Sequence, residues 1–306
     1  MGLLGGVATT RALASHGAPT RVAATRVDAA PPSPSATVSH VALVAAPESW
    51  DYRWLERHPA TGAPGNRSKS AVMVELPSGR VLYSRNPHQR MAPASTAKLM
   101  TAMLTLDSVD PATVLTVPDD ATHVEPNVMG LGAGEKVSVH DLLTGLLLDS
   151  GNDAAETLAG GAMGSRAEFI SAMNQRAEAM GLGDTRFANP SGLDDPAQYS
   201  SAHDLALMAA YLEQHYPLLA QVTTTKQAAI TGNSDHKAFF PINLNKLLWT
   251  YPGAIGFKTG LTDAAGTCLV AGARRGDRTI LLVEMNDPLI FTDATAMLDY
   301  GFRRPG

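Results

Sequence analysis

Strand-like runs flank a long helical stretch in this 306-residue chain, and that order narrows the folds open to it. Ala71 to Leu76 reads as a strand, Pro77-Ser78-Gly79 as a turn, and Arg80 to Ser84 as the returning strand. Near the other end, residues 254 to 261, Thr267 to Ala273 and Thr279 to Met285 also read as strands. The last two form a hairpin around Arg275-Gly276-Asp277. Between the two groups lie helical stripes: Leu99, Met100, Met103 and Leu104; residues 142, 143, 146 and 147; Phe169, Met173, Ala177 and Met180; and Leu205, Met208, Ala209 and Leu212. Ser165 and Glu168 make a capping-box pattern, and Gly181 stands where that helix should end. A closing helix is expected from about Asp293 to Tyr300. This order suggests one sheet built from the two chain ends, with a helical insertion between them.

Composition bounds the function. Hydrophobic residues make up 44% and charged residues 17%, enough apolar material for a sizeable core. The formal net charge of −5 argues against nucleic acid or an anionic membrane face as the main partner. No run of eighteen apolar residues occurs, so no membrane-spanning helix is expected. Cys268 is the only cysteine, so no internal disulfide forms, and its apolar neighbours mark it as a packing residue. Residues 1–66 read as an Ala/Pro/Ser-rich leader and linker, with Pro31-Pro32-Ser33-Pro34-Ser35 as its clearest signal. Within it, Trp50, Tyr52 and Trp54 either pack on the domain or belong to a tether. The apolar patch at Met1 to Ala8 lacks a basic lead-in and is too weak to count as a secretory signal. The folded domain is expected over 67–306, with a helical subdomain at about 105–225.

Three short motifs carry chemistry. Ser95 and Lys98 are three residues apart at a helix start, so the lysine amine lies on the same face as the serine hydroxyl. That is a nucleophile with its own base. To act near neutral pH the amine must lose its proton, which requires its pKa to fall roughly 2–3 pH units from about 10.4. Burial and a second cation both push that way, and Lys258 is the candidate cation. Ser150-Gly151-Asn152 falls between two expected helices; its hydroxyl can pass a proton, and its amide can hold the lysine and a substrate backbone. As a tripeptide it is also ordinary turn and cap material. Lys258-Thr259-Gly260 lies on an expected strand and offers a charge and a hydroxyl to a carboxylate, with a glycine that admits close backbone approach. No Gly-x-Ser-x-Gly elbow and no His-Glu-x-x-His spacing occur, so histidine-based and zinc-based hydrolysis are disfavoured.

Taken together, the three motifs in this order match the set of the penicillin-interacting serine enzymes. The phrases around them extend the match: Ala92 to Ala102, Leu146 to Ala155, Asn189 to Asp195, Asn243 to Leu248 and Gly256 to Gly266. From about residue 68 onward the chain resembles the D-alanyl-D-alanine carboxypeptidases, the low-molecular-mass penicillin-binding proteins of serine peptidase family S11. The resemblance implies an α/β (α+β) fold of the β-lactamase/transpeptidase type: an antiparallel sheet flanked by helices, with a mostly helical subdomain between the N- and C-terminal strands. It implies Ser95 as nucleophile, Lys98 as base, Ser150 as proton relay and Asn152 as positioning group. Lys258, Thr259 and Gly260 would bind the substrate, and the backbone of Leu261 would share an oxyanion hole with that of Ser95. The implied partners are peptidoglycan stem peptides ending in D-Ala-D-Ala, with β-lactams as inhibitors, no cofactor and no metal. The implied location is the cell envelope. Many members carry an arginine shortly before the last helix. Here Asp287-Pro288-Leu289-Ile290-Phe291 holds no basic residue, which leaves Lys258 and Thr259 to grip the carboxylate. An endopeptidase or transpeptidase on the same scaffold is the nearest alternative. A class A β-lactamase needs a Glu-x-x-Leu-Asn phrase that is absent. A non-catalytic wall-binding protein would need no base.

Overall fold

The computed structural model describes residues 50–305, so the expectations for residues 1–49 lie outside it. The chain opens with α1 (Tyr52–Arg57), then the hairpin β1 (Ser70–Leu76) and β2 (Arg80–Arg85). A 3-10 turn at Ala94–Ala97 leads directly into α2 (Lys98–Ser108). A small ribbon of β3 (Val114–Thr116) and β4 (Lys136–Ser138) precedes α3 (Val139–Leu148), α4 (Asn152–Met163), α5 (Arg166–Ala179), α6 (Ala202–His215) and α7 (Pro217–Thr224). The short α8 (Leu247–Thr250) is followed by β5 (Ala254–Thr262), β6 (Gly266–Arg275), β7 (Arg278–Met285) and α9 (Ile290–Arg303).

The two chain ends do meet in one sheet. Its order is β2-β1-β7-β6-β5, antiparallel throughout, and the seam is β1 against β7, from Ser70 opposite Met285 to Leu76 opposite Thr279. Alternation along the inner strands explains why their sequences read as nearly continuous apolar runs. Val72, Val74, Val270, Leu281 and Val283 face the core shared with α2–α7, while Ala71, Met73, Leu269, Ile280 and Leu282 face the core under α9. Both faces are covered, so polar alternation has no place there. The buried thiol of Cys268 lies on the first of these faces. Caps fix the helix starts. Ser138, Ser165 and Ser201 each accept a backbone N–H three residues on, and at Ser165 that residue is Glu168 of the expected capping box.

At the N-terminal border, the tryptophans of the stretch read as linker pack on the domain, the first of the two alternatives. Trp50 and Trp54 are buried, on opposite sides of the sheet. Trp54 is stacked by His58 and covered by the Arg304 guanidinium. Tyr52 reaches His203 of α6 with a 2.9 Å hydrogen bond. The reason is area. A tryptophan buries more apolar surface than any other side chain, and two within five residues outweigh the turn-rich run that follows. Replacing Trp54 by Ala is expected to cost about 3–5 kcal/mol of unfolding free energy in urea titrations. A change near zero would mean that the segment is the loose tether its composition suggests.

Candidate active site

The fold draws Ser95, Lys98 and Asn152 into contact. Lys98 opens α2 and is fully buried, whereas Ser95, in the preceding 3-10 turn, is partly open to solvent. Lys98 Nζ lies 2.9 Å from Ser95 Oγ, 2.6 Å from Asn152 Oδ1 and 2.5 Å from the Ser191 carbonyl oxygen. The three donors of an ammonium, or the two N–H bonds and lone pair of a neutral amine, satisfy these contacts equally. Electrostatics favours the neutral form. Burial lowers the Lys98 pKa well below the usual lysine range, and the nearby Lys258 lowers it further against the weaker pull of Glu156 and Asp153.

Lys258 is equally buried, on the edge strand β5. Burial pushes its pKa down to about 7, and the Asp149 carboxylate partly offsets that shift. Its amine donates to the Thr259 carbonyl oxygen at 3.1 Å, which leaves further N–H bonds for an anion. Thr259 is partly exposed, Gly260 is buried, and Leu261 is 72% exposed. Ser150 sits between α3 and α4 with a left-handed φ of 63°. The residue is mostly buried, and among the described residues its hydroxyl makes no hydrogen bond to either lysine. The structure therefore gathers the serine, the first lysine and the asparagine; Ser150 lies two residues before Asn152 and makes no side-chain bond to them.

Backbone strain marks the site. Four described non-glycine residues have positive φ, and two of them are Ser150 and Ala94, the latter at 48° just before the nucleophile. Two glycines hold Ala94 in place by close approach. A Cβ on Gly260 would lie 2.8 Å from the Ala94 Cβ and 3.0 Å from the Ser95 nitrogen. One on Gly192 would lie 2.0 Å from the Ala94 carbonyl oxygen, and Gly192 itself has φ 88°. The Ser95 amide is thus pressed against the backbone of β5.

Several contributors carried no side-chain signal in the sequence. Ser191 acts through its carbonyl, in the Asn189-Pro190-Ser191-Gly192 turn that is tied to α2 by a 2.6 Å bond from Thr101 Oγ1 to the Pro190 carbonyl. Glu125 also acts through its carbonyl, accepting from Asn152 Nδ2 at 2.7 Å. Asp153 accepts from the N–H groups of Met129, Gly130 and Leu131 at 2.8–2.9 Å and so fixes the loop that contains Asn127, whose carbonyl accepts from the Asn152 N–H. An acidic residue in the first turn of α4 was a readable hint of that role.

The family model described as D-alanyl-D-alanine carboxypeptidase, peptidase S11, matches residues 58–288. The chain belongs to this family. It is 37% identical over 255 residues to the D-alanyl-D-alanine carboxypeptidase DacF of Bacillus subtilis, covering 79% of this chain and 64% of that protein. It is 34% identical over 247 residues to the D-alanyl-D-alanine carboxypeptidase DacB2 of Mycobacterium tuberculosis, covering 78% of this chain and 84% of that one. The chain thus spans just under two thirds of the Bacillus relative's length. Among solved structures, a D-alanyl-D-alanine carboxypeptidase from Mycobacterium tuberculosis superposes with a TM-score of 0.74 at 33% identity, over 79% of this chain and 94% of that one. The Streptomyces K15 DD-transpeptidase gives 0.74 at 30% identity, over 79% and 99%. The five-stranded sheet with its helical insertion is therefore the fold of the S11 DD-peptidases. Gly192→Ala is expected to lower the rate of acylation by penicillin at least 100-fold, because the added methyl displaces the Ala94–Ser95 backbone. An unchanged rate would show that this contact does not place the serine.

Proposed function

We propose that the protein is a serine-type D-Ala-D-Ala carboxypeptidase that removes the terminal D-alanine from peptidoglycan stem peptides at the cell envelope. The observation that carries this reading is the buried Lys98 amine, 2.9 Å from the Ser95 oxygen and held well below the usual lysine pKa by burial and by Lys258. Family membership supplies the substrate class. A cell-envelope location follows from that substrate. No helix among the described residues is long and apolar enough to cross a membrane.

Strand β5 lies at the sheet edge beside the serine, so an extended peptide can align along it by main-chain hydrogen bonds. The terminal carboxylate meets Lys258 and Thr259. Ser95 Oγ attacks the carbonyl carbon of the penultimate residue while its proton passes to Lys98 Nζ. The backbone N–H groups of Ser95 and Leu261 hold the oxyanion; one such donor is typically worth about 3–4 kcal/mol. The C–N bond then breaks, and the proton reaches the leaving amine from Lys98 by way of the Ser150 hydroxyl. Water attacks the resulting ester, Lys98 takes its proton, and the stem leaves as the shortened acid with Ser95 restored. A β-lactam would acylate Ser95 by the same first step. The likeness to a DD-transpeptidase keeps a second reading open, in which an amine from another stem replaces the water. No step requires a cofactor.

A fluorescent penicillin should label the parent protein and leave Ser95→Ala unlabelled. Lys98→Met should acylate about 10²–10⁴-fold more slowly. No label on the parent protein would refute the reading. In the free enzyme the two lysines set opposite limbs of the pH profile. Lys98 must be neutral, so activity is lost in acid below its lowered pKa. Lys258 must be charged, so kcat/KM for a D-Ala-D-Ala peptide should fall as pH rises through about 7. A profile that stays level from pH 6 to 9 would contradict the assignment of Lys258 to the carboxylate.

A further inference from the structure

The segment from Phe239 to Asn245 alternates in burial, and its last four residues reverse the usual pattern. Phe239, Pro241, Asn243 and Asn245 point inward, while Phe240, Ile242 and Leu244 are 70%, 53% and 39% exposed. In an alternating segment the apolar set belongs inside. Phe239 and Pro241 follow that rule, but hydrogen bonds hold Asn243 and Asn245 inside while Ile242 and Leu244 face out. Asn243 Nδ2 donates to the carbonyls of Thr223 and Thr225, and the Asn245 carboxamide oxygen accepts the N–H of Leu247 at the start of α8. Backbone pairing of Ala228 with Pro241 and of Asn243 with Lys226 locks the register. The outward apolar row is thus built into the structure rather than left over from poor packing.

The row also starts at the candidate active site. The Ile242 N–H donates to Asp149 Oδ1 at 2.8 Å, and the Leu244 N–H donates to the Leu148 carbonyl. Those two residues lead into Ser150, and Asp149 is the charge partner of Lys258. Val128, 42% exposed, adjoins Asn127, whose carbonyl accepts the Asn152 N–H. Isolated exposed apolar residues are unremarkable, but a row of three tied to a candidate active site marks a surface for ligand. Lys258 and Thr259 mark the carboxylate end of the substrate, so the row borders the residue that leaves, not the acyl part that stays on Ser95.

We infer that Phe240, Ile242 and Leu244 form an apolar shelf for the side chain of the released C-terminal residue, so that the enzyme removes apolar D-residues larger than alanine. The inference rests on the carboxypeptidase reading and names a substrate class for it. The bond broken and the proton transfers are those already described; only the leaving D-amino acid changes.

Three N-acetyl peptides with one common acyl part, ending in D-Ala-D-Ala, D-Ala-D-norleucine and D-Ala-D-lysine, test it by chromatography of the released amino acid. Norleucine and lysine side chains match in length and differ in charge. Each methylene taken from water is worth about fourfold in kcat/KM. The norleucine peptide should therefore exceed the lysine peptide by about tenfold or more. In the double variant Phe240→Ser, Ile242→Ser that ratio should fall toward one, and in Ile242→Leu it should persist. A ratio near one in the parent, or an unchanged ratio in the double variant, would overturn the shelf. So would a double variant that keeps the ratio but loses binding to phosphatidylcholine vesicles or self-association in ultracentrifugation, which would assign the row to a membrane or a second copy. If the parent releases D-alanine and is acylated by penicillin yet shows no ratio, the shelf alone falls. If it does neither, the carboxypeptidase reading falls and takes the shelf with it.

Discussion

Two buried lysines within reach of each other's field cannot both keep their protons, and the rest of the structure is arranged around which one yields. Lys98 is enclosed by Ser95, Asn152 and Ser191, and among the described residues neither lysine has a hydrogen-bonded carboxylate. The Lys98 pKa is driven well below the usual lysine range by burial and by the Lys258 charge, against the pull of Glu156 and Asp153. The Lys258 pKa falls to about 7 with Asp149 offsetting the shift, and its amine keeps donors for an anion. That difference assigns the work: Lys98 becomes the base and Lys258 the anion binder. Desolvation is the larger cause at both, so the dryness of the site matters more than the repulsion between them.

Holding that arrangement demands rigidity from elements far apart in sequence. The nucleophile hangs on a strained Ala94, pinned by Gly192 from one loop and Gly260 from the edge strand. The asparagine hangs on the start of α4, pinned through Asp153 to the loop that joins β3 to β4. An open sheet joined at its centre by its first and last strands supplies the frame, and the buried tryptophans at its N-terminal border help to clamp the β1–β2 hairpin. Strain of this kind persists only where surrounding packing over-determines it.

Much of this was legible in the sequence. Strand and helix periods gave the sheet from both ends, because its inner strands are apolar on both faces and its helices carry single stripes. Ser95, Lys98, Asn152 and Lys258 were legible because their chemistry resides in side chains at fixed spacings. What escaped was carried by the main chain or by pattern reversal. The Ser191 and Glu125 carbonyls have no sequence signature. Trp50 and Trp54 were masked by the prolines and glycines that follow them. Phe240, Ile242 and Leu244 alternate as a strand would, and periodicity alone assigns such residues inward. Only the hydrogen bonds of Asn243 and Asn245 reveal that they face out.

The central claim is that the Lys98 amine is uncharged in the resting enzyme. Carbon-13 NMR of the lysine Cε positions, titrated from acid to alkaline pH with Lys98→Met to assign the resonance, measures this directly. The account predicts a Lys98 signal already in its neutral position at pH 7, and a pKa that rises when Lys258 is replaced by Met. A Lys98 signal that stays in the charged position up to pH 9 would contradict it.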